Sequence, residues 1–137
     1  MVLTVGLSAA LANDETKVDP RVLSAFEKDF SFAKNAVWDT EGDFSKVRFS
    51  VNDQGITAWY SEEAELIIMA RNILYMNLPL AVIKSLEDRG CKTELSDIVE
   101  VTKNGETNYY MYAEEKGKKK MFEVTPSGEI SVVKRIK

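Results

Sequence analysis

An internal echo constrains this chain more than any single motif does. Val22, Leu23 and Phe26 recur as Val82, Ile83 and Leu86 at an offset of 60, and Trp38 recurs as Ile98 at the same offset. Val47, Phe49 and Val51 recur as Tyr109, Met111 and Ala113 at 62, Tyr60 as Phe122 at 62, and Glu65-Leu66 as Glu129-Ile130 at 64. The offset drifts only at turns, where insertions are tolerated. The pattern predicts two successive copies of one unit, residues 18–76 and 77–137, within one structural domain. A unit of about 60 residues is marginal alone, so the two sheets are expected to join into one larger curved surface.

Each copy reads as one helix followed by four strands. Asp19-Pro20 predicts a helix start, because Asp caps orphan N–H groups and Pro at the first helical position loses no hydrogen bond. Val22, Phe26, Phe30 and Ala33 then follow at helical spacing, which carries the helix to about Phe32. Period-two runs come next: Val37-Trp38, then Val47, Phe49 and Val51, then Ile56, Ala58 and Tyr60 beyond Asp53-Gln54-Gly55. Leu66 to Leu74 is ambiguous by period, and the echo decides it for strand. Leu78-Pro79 opens a second helix that Gly90 stops. Four strands are expected after it, about 95–102, 107–115, 119–125 and 129–136, with Asn104-Gly105 as the clearest hairpin turn. The fold class expected is therefore α+β, a tandem repeat of two helix-plus-four-stranded antiparallel sheet units.

The N-terminal segment has a different character. Met1 to Ala12 is uncharged and apolar, and Ala10-Leu11-Ala12 fits an A-x-A cleavage rule, so residues 1–12 are expected to be a signal peptide remnant lacking its basic start. A buried N-terminal strand is the competing reading. No stretch reaches the roughly 18 apolar residues of a membrane span. Export implies a periplasmic or secreted protein.

Composition excludes several functions. The chain contains no histidine, which removes Ser-His and Cys-His nucleophile chemistry and His-based zinc sites. A net charge of −4 argues against nucleic acid, whose phosphates need a basic field. Lys116, Lys118, Lys119 and Lys120 beside Glu114 and Glu115 are expected to form a solvated hairpin tip. Cys91 is the only cysteine, so no intrachain disulfide can form. Asp39-Thr40-Glu41-Gly42-Asp43 alternates carboxylates, but its Gly falls fourth rather than sixth, so it is expected to be a plain turn and no metal or cofactor is expected.

If Val47, Phe49, Ile56, Ala58, Tyr60, Leu66 and Ile68 face the helices, alternate positions face away. Those are Arg48, Trp59, Ile67, Met69, Arg71, Tyr110, Tyr112, Met121, Val133 and Arg135. Trp, Tyr, Met and Arg are the types enriched in binding cores. Arg48, Trp59, Met69, Arg71, Tyr110, Tyr112, Met121 and Arg135 are therefore the candidate partner-binding residues. Coverage of this face by the N-terminal segment or by a second copy in a homodimer is the alternative.

Val22-xxx-Phe26-xxx-Phe30, Ala33-Lys34-Asn35-Ala36-Val37-Trp38, Val47-Arg48-Phe49 and Ala58-Trp59-Tyr60 resemble the N-terminal repeat of PepSY-like (β-lactamase-inhibitor-protein-like) proteins of Bacteroidetes. Leu78-Pro79 and Tyr109-Tyr110-Met111-Tyr112 resemble its second half. Ala64 departs, standing where that pattern has glycine. The resemblance spans about Val18 to the C-terminus and implies an exported protein of two α/β repeats with a concave sheet. It transfers no inhibitory residue. The function expected is non-catalytic binding or inhibition of a periplasmic protein or peptide through the open face. A small-molecule or lipid carrier is the second reading, and a hydrolase working through Glu62, Glu63 and Glu65 the third.

Overall fold

The computed structural model describes residues 18–90 and 95–136, so the signal-like segment and Cys91 lie outside the described residues. The fold is α+β. Its helices are α1 (Pro20–Asp29) and α2 (Leu80–Arg89), with a single 3-10 turn at Tyr75–Asn77. Its strands are β1 (Lys34–Glu41), β2 (Phe44–Val51), β3 (Gln54–Tyr60), β4 (Leu66–Asn72), β5 (Leu95–Lys103), β6 (Glu106–Glu115), β7 (Lys118–Val124) and β8 (Ile130–Ile136). They are hydrogen-bonded in chain order, β1 through β8. The chain divides into two compact units between Met69 and Ala70, inside β4.

In the first unit, Asp19 caps α1 by accepting from the Arg21 N–H at 2.8 Å, and Pro20 occupies the first helical position. Val22 and Phe26 from the helix close over Trp38, Val47, Phe49, Ala58 and Tyr60. Phe26 is the hub: its ring meets Trp38 and Phe49 edge-on, at centroid distances of 5.3 and 5.0 Å. Such pairs add about 0.5–1.5 kcal/mol each beyond simple burial. The fully buried Tyr60 hydroxyl donates to Asp29 Oδ2 at 2.9 Å, tying the end of α1 to β3. Burial, and then this bond to a carboxylate, push the Tyr60 hydroxyl far above its usual pKa. The helix stops at Asp29 rather than near Phe32. Phe30 leaves the helical region (φ −134°, ψ 64°) and lays its ring 4.7 Å from Phe49, which strands Phe32 in solvent at 82% exposure.

In the second unit, Val82 and Leu86 of α2 pack on Ile98, Tyr109, Met111, Ala113, Phe122 and Val124. Gly90 ends the helix as expected, in the left-handed conformation (φ 80°) that a Cβ disfavours. Here the third strand brings Phe122, not tyrosine, to the helix end, and the Arg89 guanidinium lies 4.6 Å from its ring. Arg89 Nε also donates to Glu115 Oε2 at 2.7 Å.

Three local irregularities interrupt the alternation. In β1 the register jumps between Lys34/Ser50 and Val37/Arg48, with Asn35 at φ 59°. In β5 it jumps between Ser96/Tyr112 and Val99/Tyr110, with Asp97 at φ 53°. In β8, Met121 pairs with Lys134 and Phe122 with Val132, which leaves Val133 bulged. The loops Ser61–Glu65 and Thr125–Glu129 are built alike. Each closes with a backbone bond from its first N–H to its last C=O (2.9 and 3.0 Å), and each is braced by its first hydroxyl (3.2 and 3.1 Å).

Candidate binding faces of the two units

Strand alternation delivers the two-faced arrangement. Val47, Phe49, Ala58 and Tyr60 are buried under α1, and Ile56 packs against that core. Leu66, expected on the same side, is instead 37% exposed, as the first strand residue after the Ser61–Glu65 loop.

On the reverse of the first unit, cross-strand pairing sets Trp59 opposite Lys46, and Lys46 opposite Asp39. Trp59 is half-buried and its indole N–H donates to Glu41 Oε1 at 2.7 Å. The Lys46 ammonium lies 5.7 Å from the Trp59 ring and 4.0 Å from the same Glu41 carboxylate. This uses the acidic β1–β2 turn: Glu41 orients an indole. Arg48 is exposed between Val37 and Thr57 in the register. Ile67 and Met69 are half-buried on β4.

On the reverse of the second unit, Tyr110 stands between Val99 and Glu123, and Tyr112 between Ser96 and Met121. The Tyr110 hydroxyl donates to Glu123 Oε2 in a short hydrogen bond. That bond to a carboxylate, with burial second, pushes the phenol up to about 12, so it stays a neutral donor at any physiological pH. The Lys119 ammonium sits 4.7 Å from the Tyr112 ring. Beside Tyr110 a half-open depression of about 530 Å³ is lined by Val101, Asn108 and Glu123 among others.

Two expected members fall elsewhere. Arg71 Nε donates to Glu100 Oε1 at 2.7 Å, and the buried Tyr109, which faces Glu100 across the ladder, shares that carboxylate at 3.5 Å. Arg71 thus groups with Tyr109 on the helix side rather than with Tyr110 and Tyr112. Desolvation, followed by the Glu100 charge, raises the Tyr109 phenol. The bulge at Val133 shifts β8 by one residue, so Arg135 pairs with Lys120, in the row of Ala113, and its side chain lies outside the described residues. A period-two reading slips by one residue at each bulge.

The reading of the open face missed Glu41, Lys119 and Glu123, the charged residues that hold its aromatic rings. Period two marks each of them as sharing a face with a candidate, but only the register shows which ring each one meets. Glu62, Glu63 and Glu65 are exposed on the Ser61–Glu65 loop, where no burial prepares a carboxylate for acid–base work. Among the described residues no group of three metal-ligating side chains converges, and no helix is long and apolar enough to cross a membrane. What the faces present is half-buried aromatic rings, each held by a charged neighbour, which suits recognition of mixed apolar and charged surfaces.

No protein-family model and no curated protein matches the chain. Solved structures do. A DUF2874 family protein from Bacteroides uniformis superimposes with a TM-score of 0.76 at 14% identity, over 87% of this chain and 88% of its own. A protein from Bacteroides eggerthii, described provisionally as periplasmic, gives 0.75 at 16% identity over 87% and 88%. A BLIP-like protein from Bacteroides fragilis gives 0.74 at 19% identity over 90% and 94%. The likeness is one of fold.

Proposed function

We propose that this chain is an exported, periplasmic, non-catalytic binding protein of the PepSY-like, β-lactamase-inhibitor-protein-like kind. It holds a protein or peptide against the sheet surface opposite its helices. The observation that carries this is the state of the aromatic rings on the two reverse faces. Trp59, Tyr110 and Tyr112 are not needed by either core, yet each is held in place by Glu41, Glu123 or Lys119. Ordering such a ring in advance lowers the entropy cost of binding. Support for location comes from the neighbour described as periplasmic and from the signal-like residues 1–12. Support for binding comes from the BLIP-like neighbour, whose fold this chain shares.

We infer that the two units are copies of one ancestral unit. The bulges at Asn35 and Asp97, and the matching loops Ser61–Glu65 and Thr125–Glu129, favour that reading because they recur at offsets of 62 and 64. Such irregularities are harder to reach independently than an amphipathic pattern is.

The test is affinity capture from a periplasmic extract by the wild-type chain and by Trp59→Ala and Tyr112→Ala. Each variant should keep its far-UV circular dichroism and lose a discrete partner, because truncating an interface aromatic costs about 2 kcal/mol or more where it is a hot spot. Undiminished capture by both variants contradicts the proposal. A ligand mass carried by the native protein, with no protein captured, would favour the carrier reading.

A further inference from the structure

Tyr110 is held by a carboxylate as Trp59 is, but without the ammonium that completes the contact around Trp59. In the first unit three groups meet. Glu41 Oε1 accepts the Trp59 indole N–H at 2.7 Å, and the Lys46 ammonium lies 4.0 Å from that oxygen and 5.7 Å from the ring. In the second unit Glu123 Oε2 accepts the Tyr110 hydroxyl, a neutral donor. Glu123 is half-buried, and its cross-strand row runs Val99, Tyr110, Glu123, Ser131, with no cation in it. The other charges of this face stand in other rows: Lys103 opposite Glu106, Lys119 opposite Glu114, and Lys134 opposite Met121 with its side chain outside the described residues. Among the described residues no cation lies within ion-pair distance of Glu123 and no group donates to its Oε1. Beside this pair lies the half-open depression of about 530 Å³, lined by Val101, Asn108, Tyr110 and Glu123, with Lys103 and Glu106 both present and offsetting each other.

Resting on the binding reading above, we infer that the partner polypeptide places a basic side chain, lysine or arginine, in the depression beside Tyr110 with its charge on Glu123. The cation donates to Glu123 Oε1 and lies against the Tyr110 ring, as Lys46 does between Glu41 and Trp59 within the first unit. The side chain's apolar stem rests on Val101, as long basic side chains lie along apolar surface. Because Glu123 is half-buried and held only by a neutral phenol, its charge is screened less than that of an exposed carboxylate, and a cation gains correspondingly more. An acidic side chain arriving at the same place is repelled, so Glu123 sets the sign of what this part of the face accepts.

Three short fluorescent peptides of one design test this by anisotropy at low salt, alternating serine with lysine, with norleucine or with glutamate. The wild-type chain should bind the lysine peptide more tightly than the norleucine peptide, and the glutamate peptide least. Glu123→Gln should weaken lysine-peptide binding about tenfold, whereas Glu27→Gln, the same charge change on the exposed surface of α1, should leave it nearly unchanged. Ser131→Lys puts an ammonium into Glu123's own row at an exposed position and should displace the peptide while the far-UV circular dichroism stays the same. This second variant keeps the test decisive should Glu123→Gln disturb the fold. No binding of the lysine peptide, equal binding of the norleucine peptide, or equal losses in Glu123→Gln and Glu27→Gln each overturn the basic side chain. Undiminished binding by Ser131→Lys overturns it likewise. None of these results touches the broader binding reading, which stands or falls on capture by the Trp59 and Tyr112 variants.

Discussion

Ala64 and Gly128 occupy corresponding places in two similar loops, and both take positive φ, 65° and 99°. Backbone preference alone says that glycine suits both. The surroundings separate them. A Cβ on Gly128 would lie 2.4 Å from Ser85 Oγ and 2.7 Å from the Ala81 carbonyl oxygen, so α2 leaves no room for one. Ala64 instead packs its methyl against the first unit's core. Gly128→Ala should therefore lower stability by about 2 kcal/mol or more, through overpacking against backbone combined with strain. Ala64→Gly should shift it by less than about 1 kcal/mol, since relief of φ is offset by a lost contact and a freer unfolded chain. Urea unfolding midpoints of the two variants check the contrast; a larger loss for Ala64→Gly would contradict it. The sequence showed that Ala64 stood in a glycine place, but spacing carries no information on how closely α2 approaches the other loop.

At the scale of elements, each helix end is fastened to its sheet differently. In the first unit Asp29 takes the Tyr60 hydroxyl; in the second, Arg89 covers Phe122 and pairs with Glu115, which also holds Lys120. The Arg89 hydrogen bond first, and the Lys120 bond after it, hold the Glu115 carboxyl down at about 2. A depressed carboxylate pKa contributes stability that is fully present above the unfolded value near 4.5 and is lost as pH falls towards 2. With this side chain mostly covered, about 1–3 kcal/mol is at stake. Denaturation at pH 6 and at pH 2.5 should show a smaller acid-induced loss in Glu115→Gln than in the wild type, and equal losses would remove the ion cluster as a determinant. Period and turn chemistry made the strands, Gly90 and the Asn104-Gly105 turn legible in the sequence. The bulges were not read, although Asn35 and Asp97 carry a signal: Asn and Asp tolerate the left-handed region better than other L-residues, and each sits near the start of a strand. The helix end at Asp29 was illegible because it depends on Phe30 meeting Phe49, a contact between distant residues.

For the whole molecule, alternation divided buried from open residues well wherever the ladder is regular, and misplaced Arg71 and Arg135 where pairing partners or a bulge decide. The candidate face was thus legible as a set of positions but not as a set of contacts, because Glu41, Glu123 and Lys119 meet the rings only through the register. The absence of histidine narrowed the chemistry and named no ligand. The account turns on the claim that the reverse sheet faces, and not the helices, are where a partner sits. Photo-crosslinking in cells tests it most directly, with a photoreactive residue placed at Trp59, at Tyr112 or, on the exposed helix surfaces, at Glu27 or Lys84. The account predicts a discrete crosslinked partner from Trp59 and Tyr112 and none from Glu27 and Lys84, whereas capture from the helix positions alone, or equally from all four, would contradict it.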